Sequence, residues 1–213
     1  MVKVIPFYYD DDDDLFANTY IVIDDRNQCI VIDPSKDCPG IVNYIKKNNL
    51  ILKGILLTHG HFDHIRGVNN LYEEFHTPIY IGFEEVDLLT NPELNCSYMM
   101  SSPYIIDIKP ITISDNEVIH LLDENIVCIH TPFHTVGSYC YLFKESKILF
   151  TGDSLFKGSV GRSDLPTGNI KDFPSSMAKI KALDDDLKIF PGHGPSSNLA
   201  FEKRANIYLM NYK

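Results

Sequence analysis

The 213-residue sequence has no tryptophan, no Cys-x-x-Cys pair and no run approaching the ~18 consecutive apolar residues of a membrane span. Residues 2–9 are too short, too proline-interrupted and too acid-flanked for a signal peptide, so the chain is expected in the cytoplasm with no membrane partner. Its five cysteines (Cys29, Cys38, Cys96, Cys128, Cys140) are odd in number and sit mostly within apolar runs. Neither a disulfide framework nor a thiolate zinc site is indicated. A basic stripe is missing too: 19 Lys and Arg are scattered against 29 Asp and Glu, leaving a net charge of −10. That balance disfavours a nucleic-acid partner, whose phosphates need clustered cations. The five aspartates at residues 10–14 read as a solvated loop.

Against these absences, 44% hydrophobic and 23% charged residues are the proportions of a globular protein, and the length fits one domain over residues 1–213. Strand-like runs cover residues 2–8, 19–24, 29–33 and 54–58, with a helix expected over 39–48. The clearest helix follows the fourth strand, where Val68, Leu71, Tyr72 and Phe75 repeat at helical spacing opposite Glu73 and Glu74. Further strands are expected over 79–81, 118–122, 126–131, 139–143, 148–151 and 188–190, and helices over 173–183 and 199–210. Many strands with helices in both halves predict an α/β architecture of two packed sheets with helices outside. Residues 98–104 fit no element.

The chemistry concentrates in Thr58-His59-Gly60-His61-Phe62-Asp63-His64, where an apolar strand ends and an amphipathic helix begins. Metal ligands need lone pairs aimed at one place, and a sharp strand-to-helix turn converges side chains that a regular strand would send to opposite faces. Gly60 is expected to supply flexibility there. A lone histidine in an apolar setting is ordinarily packed or surface-exposed. Three His and one Asp in six residues are not that case. Three more candidates recur just after apolar strands: His134 in Thr-Pro-Phe-His-Thr, Asp153 in Thr-Gly-Asp-Ser and His193 in Pro-Gly-His-Gly. His76, His120 and His130 lack this setting and read as structural.

The pattern His-x-His-x-Asp-His, followed by a His, an Asp and a Gly-His, resembles the metallo-β-lactamase superfamily. Residues 152–166 (Gly-Asp-Ser-Leu-Phe-Lys-Gly-Ser-Val-Gly-Arg-Ser-Asp-Leu-Pro) and 191–195 (Pro-Gly-His-Gly-Pro) narrow the likeness to its glyoxalase II-like, or hydroxyacylglutathione hydrolase-like, branch. The resemblance implies an αββα sandwich with two divalent metal ions at one edge, zinc first and iron or manganese as alternatives. It places His59, His61 and His134 at one metal and Asp63, His64 and His193 at the other. Asp153 would bridge them, with Asp63 and Asp153 as the catalytic carboxylates. Two departures bear on substrate: Phe133, where the family has Gly, is expected to narrow the approach to the metals, and the helical C-terminal domain of glyoxalase II has no counterpart.

The implied activity is hydrolysis of small thioesters such as S-lactoylglutathione by a metal-bound bridging hydroxide. A thiolate leaves readily, its parent thiol having a pKa near ~8.5, so no strong general acid is required. The alternative is a mononuclear iron persulfide dioxygenase, because His59, His134 and Asp153 also form a two-His, one-carboxylate set and those enzymes share Gly161-Arg162-x-Asp164. A non-enzymatic metal-holding module is the third class. Arg162, nine residues after Asp153, carries two readings: a surface ion pair with Asp164, or capture of a substrate carboxylate.

Overall fold

Tyr20 and Val22 alternate with Ile21, and Ile30 and Ile32 with Cys29 and Val31; a strand with apolar residues at every position must be covered on both faces. In the computed structural model, which describes residues 1–9, 16–36 and 39–210, both faces are covered. The aspartate run and Cys38 lie outside the described residues.

The first sheet contains β1 (Lys3–Phe7), β2 (Thr19–Ile23), β3 (Gln28–Ile32), β4 (Ile51–Leu56), β5 (Ile79–Gly82) and β6 (Ile111–Ile113), side by side in chain order. Its first three strands are antiparallel and the rest parallel. The second sheet runs in order from β7 (Val118–Ile119) through β8 (Ile126–His130), β9 (Tyr139–Phe143), β10 (Ile148–Gly152) and β11 (Lys188–Pro191) to β12 (Ser197–Asn198). Only β10 and β11 pair in parallel there. Each sheet therefore comes from one continuous half of the chain.

Helices α1 (Pro39–Lys47), α2 (Phe62–Ile65), α3 (Val68–Phe75) and α4 (Val86–Thr90) belong to the first half, and α5 (Phe173–Lys181), α6 (Leu199–Ala205) and α7 (Ile207–Met210) to the second. Three apolar clusters hold the layers together. Tyr20, Ile30 and Leu56 meet Tyr141, Phe143 and Phe150 between the sheets. Ile41, Ile45, Val68 and Leu71 cover the outer face of the first sheet, and Met177, Ile180, Leu199 and Leu209 that of the second. At about 1.5–3 kcal/mol for each fully buried large apolar side chain, these clusters drive the stacking. The order helix, sheet, sheet, helix is the expected αββα sandwich.

Local differences have local causes. β4 starts at Ile51, three residues before the expected strand, because Gln28 and Cys29 of β3 pair with Ile51 and Leu52. The helix expected over 199–210 breaks at Asn206, whose backbone is extended at ψ 111°. Its buried side chain donates to the Ser159 carbonyl and to Glu202 and accepts from the Tyr208 amide, bonds that divert the chain from one helix. Residues 98–104 begin in a single 3-10 turn (Ser97–Met99), continue without regular structure, and are tied down by Asn95, which donates to the carbonyls of Leu88 and Tyr104.

Candidate metal centre

The carboxyl ends of β4, β8, β10 and β11 meet at one edge of the sandwich. His59 and His61 lie between β4 and α2, Asp63 and His64 in α2, His134 in the loop after β8, Asp153 directly after β10, and His193 two residues after β11. Cross-sheet hydrogen bonds hold this edge shut: the Tyr139 amide donates to the Thr58 carbonyl, and the Tyr20 hydroxyl to that of Pro191. Gly60 is not in the left-handed region, so flexibility is not its contribution. A Cβ there would lie 2.6 Å from Leu88 Cβ, and the missing side chain is what lets the loop sit on α4.

All seven predicted ligands converge. His61 Nδ1 is 3.1 Å from His59 Nε2 and 3.0 Å from His134 Nε2. Asp63 Oδ2 is 3.1 Å from His193 Nε2 and 3.6 Å from His64 Nε2. Asp153 lies between the two clusters, with Oδ1 3.3 Å from His64 Nε2 and Oδ2 3.4 Å from His134 Nε2. Within each of the sets His59–His61–His134, His59–His64–Asp153 and Asp63–His64–His193, the candidate ligand atoms lie within 4.8 Å of one another.

These residues fit metal ions on their own chemistry. His134 Nδ1 is 2.7 Å from the Arg162 carbonyl, which can only accept, so the proton sits on Nδ1 and Nε2 is left as a lone pair. His64 Nε2 and Asp153 Oδ1 are buried 3.3 Å apart with no well-formed hydrogen bond between them or to any other group, so a cation placed between them would satisfy both atoms. Burial and the neighbouring imidazoles push His61 down to about 3, and His59 well below its usual range, so both are neutral donors at physiological pH. Burial alone would also lower His64, but Asp63, Asp153 and Asp33 outweigh it and hold the ring well above the usual range. His193 is raised in the same way by Asp153 and Asp63. Conversely, burial would raise Asp153, yet His64, His193 and His134 hold it well below the carboxylate range. A cation can take the place of the two imidazolium protons.

Two residues that the sequence reading passed over support the ligands. Asp33, at φ 47°, accepts from the Thr58 amide (2.8 Å), the Thr58 hydroxyl (2.7 Å) and His64 Nδ1 (2.9 Å). Its signal was available, since it is an acid at a strand end like Asp153. Glu85 is fully buried after β5 and accepts from the Gly60 and Gly137 amides, both at 2.7 Å; burial pushes its carboxyl up against the pull of those bonds. Nothing in the local sequence marks it.

A cavity of about 410 Å³ opens beside the cluster, lined by His61, Asp63, His134, Asp153 and His193 together with Cys96, Met99, Phe156, Leu165 and Arg162. Phe133 is not part of it. Contrary to expectation, that ring is buried edge-on against Phe173 and does not narrow the approach. Arg162 Nε and Nη2 form a two-point pair with Asp164 at 2.6 and 2.7 Å, with both side chains exposed. His130, read as structural, bonds the Val136 carbonyl in the loop that carries His134.

Residues 12–193 match the family model of the metallo-β-lactamase superfamily. The chain belongs to that superfamily. Among curated relatives it is 32% identical over 206 residues to the probable metallo-hydrolase YqgX of Bacillus subtilis (strain 168), covering 92% of this chain and 93% of that one. It is 32% identical over 195 residues to the hydroxyacylglutathione hydrolase GloC of Haemophilus influenzae, covering 90% and 92%. Among solved structures, the BLEG-1 B3 metallo-β-lactamase superposes with a TM-score of 0.89 at 30% identity, over 99% of this chain and all of that one. TTHA1623 in a di-iron-bound form gives 0.83 at 28%, over 96% and 100%. The superfamily member is thus a metallo-hydrolase-type enzyme, and its fold and His/Asp groups imply divalent metal ions. No helix among the described residues is long and apolar enough to cross a membrane.

Proposed function

We propose that this chain hydrolyses small thioesters of the S-lactoylglutathione type as a single-domain, two-metal enzyme of the cytoplasm, with zinc as the first expectation. His59, His61 and His134 would hold one ion, Asp63, His64 and His193 the other, and Asp153 both. The observation that carries this reading is Asp153, whose carboxylate touches both halves of the cluster: Oδ1 lies 3.3 Å from His64 Nε2, and Oδ2 lies 3.4 Å from His134 Nε2 and 3.7 Å from His193 Nε2. When bound, such ions lower the pKa of water from 15.7 towards ~7 and polarise a carbonyl oxygen.

The chain's own residues do the positioning. Asp33 fixes the His64 ring and the Arg162 carbonyl fixes that of His134, leaving in each a ring nitrogen aimed into the cluster. Asp63 and Asp153 bring two negative charges that would compensate the cations. Cys96, Met99, Phe156 and Leu165 give the cavity an apolar wall, and Arg162 at its edge offers the guanidinium edge not engaged by Asp164 to a substrate carboxylate. The wall presents no dedicated acid, which suits a thiolate leaving group.

The similarity to GloC, a hydroxyacylglutathione hydrolase, supports this substrate class. The second reading, an iron persulfide dioxygenase, draws on the 3.4 Å approach of Asp153 to His134. Elemental analysis of freshly purified protein, with thiol release from S-lactoylglutathione, tests the proposal: two ions and thiol release are expected. One iron and oxygen uptake with glutathione persulfide would replace hydrolysis by the dioxygenase.

A further inference from the structure

Glu85 is a carboxylate with no cation beside it. The side chain is fully buried, no described ion pair includes it, and its partners are the Gly60 and Gly137 amides together with the Thr135 hydroxyl. Gly60 is the peptide between His59 and His61, while Gly137 belongs to the loop that carries His134. One carboxylate therefore links the two loops, from opposite sheets, that supply the three-histidine set. Packing closes round this link: a Cβ on Gly137 would lie 2.7 Å from Glu85 Cγ.

The charge is needed as well as the shape. Two N–H groups reach the two oxygens separately, and an amide would have to turn its own NH2 against one of them. A buried anion next to the His59–Gly60–His61 turn also favours a cation in the adjacent set by Coulomb attraction in a weakly screened interior. Asp63, His64 and His193, in contrast, are oriented through Asp33 and through each other.

We propose that Glu85 is a positioning residue that sets His59 and His61 against His134, and so governs occupancy of the three-histidine metal position while leaving the Asp63–His64–His193 position intact. The proposal rests on the two-metal reading above and goes beyond it by making the two positions separable.

The test loads full-length wild type, Glu85→Gln and a control, Glu124→Gln, with Zn2+, counts ions by elemental analysis and measures affinities against a competing chelator. Glu124 is also a buried carboxylate, but it accepts from the Ser146 amide, and Ser146 in turn accepts from the Val2 amide near the start of the chain. Glu85→Gln should lose about tenfold or more in affinity for one ion only, as removal of a ligand's supporting partner does, and Glu124→Gln should bind like wild type. If Glu85→Gln keeps two ions at wild-type affinity, or loses both equally, the proposal is overturned. Should that variant not fold, Gly137→Ala retains the carboxylate but presses on it: selective loss of one ion supports the proposal and unchanged binding overturns it. A wild type that binds no Zn2+ overturns the metal reading itself, an outcome distinct from a two-ion wild type beside an unaffected variant.

Discussion

Replacing Asp33 separates support of the metal ligands from ligation itself. Its carboxylate serves three donors: the Thr58 amide, the Thr58 hydroxyl and His64 Nδ1. In Asp33→Ala the hydroxyl can turn to His59 Nδ1, 3.2 Å away, but the other two N–H groups are buried with no replacement. At about 1–3 kcal/mol for each orphaned donor, the metal-free protein should lose about 2–6 kcal/mol. For a chain of this length, at about 2–4 °C per kcal/mol, Tm should fall by about 4–24 °C. Asp33→Asn keeps the shape and orphans about one donor, so its loss should be the lower part of that range. With the ring of His64 no longer fixed, affinity for the ion at Asp63, His64 and His193 should drop about 10–100-fold in either variant. Calorimetric unfolding of metal-free protein and Zn2+ titration measure the two effects independently. The reasoning fails if Asp33→Asn unfolds within about 1 °C of wild type and binds both ions unchanged.

Asp153→Ala should abolish thioester hydrolysis and reduce bound metal, whereas His76→Ala, whose ring lies on Tyr72 away from the cluster, should do neither; equal metal content and activity in the two variants would remove Asp153 from the centre. Arg162→Ala should raise KM for a carboxylate-bearing thioester about tenfold, near 1.4 kcal/mol, with kcat and metal content little changed, and an equal effect on a neutral thioester would show that Arg162 does not read the substrate. Burial would raise the Asp115 carboxyl, but Lys179 and the His130 amide hold it below its usual range, so the stability it adds is present above pH ~4 and lost as pH falls through its folded value. The Tm gap between wild type and Asp115→Asn should accordingly shrink under acid, and a gap that widens there would reverse the sign. Because His64 and His193 are held protonated by Asp63 and Asp153, Zn2+ binding at pH 7 should release protons, seen as a buffer-dependent heat; no buffer dependence would contradict their raised pKa values.

The convergence of the seven candidate residues was legible because four of them crowd into the turn after one apolar strand, while His134, Asp153 and His193 each follow an apolar strand beside Gly, Pro or Thr, so a local pattern marked a non-local meeting point. Helix α3 was legible because Val68, Leu71, Tyr72 and Phe75 carry a clean period; its end at His76, in the left-handed region, comes from the structure. Glu85 was not, since an acid near a helix start reads as solvated until the fold brings Gly60 and Gly137 to it from distant positions. Phe133 was misread for the opposite reason: proximity in sequence to His134 says nothing about which way a ring points, and Phe173 draws it into the core. The break at Asn206 depends on Ser159 and Glu202, partners that helical periodicity does not contain.

Since each sheet is one continuous half of the chain, none of the three candidate sets is complete in either half. His59, His61, Asp63 and His64 come from the first, and His134, Asp153 and His193 from the second. During synthesis the residues of the first sheet are available by Ile113, yet every set waits for a residue made later, and the last of them for His193. An ion held by any of these sets certifies that the two halves have docked, and a nascent or half-folded chain offers only the incomplete group His59, His61, Asp63 and His64, which should hold metal more weakly than a completed set. Metal uptake is then a late event that captures correctly assembled molecules, and excess ion should slow undocking of the halves more than it speeds formation of either.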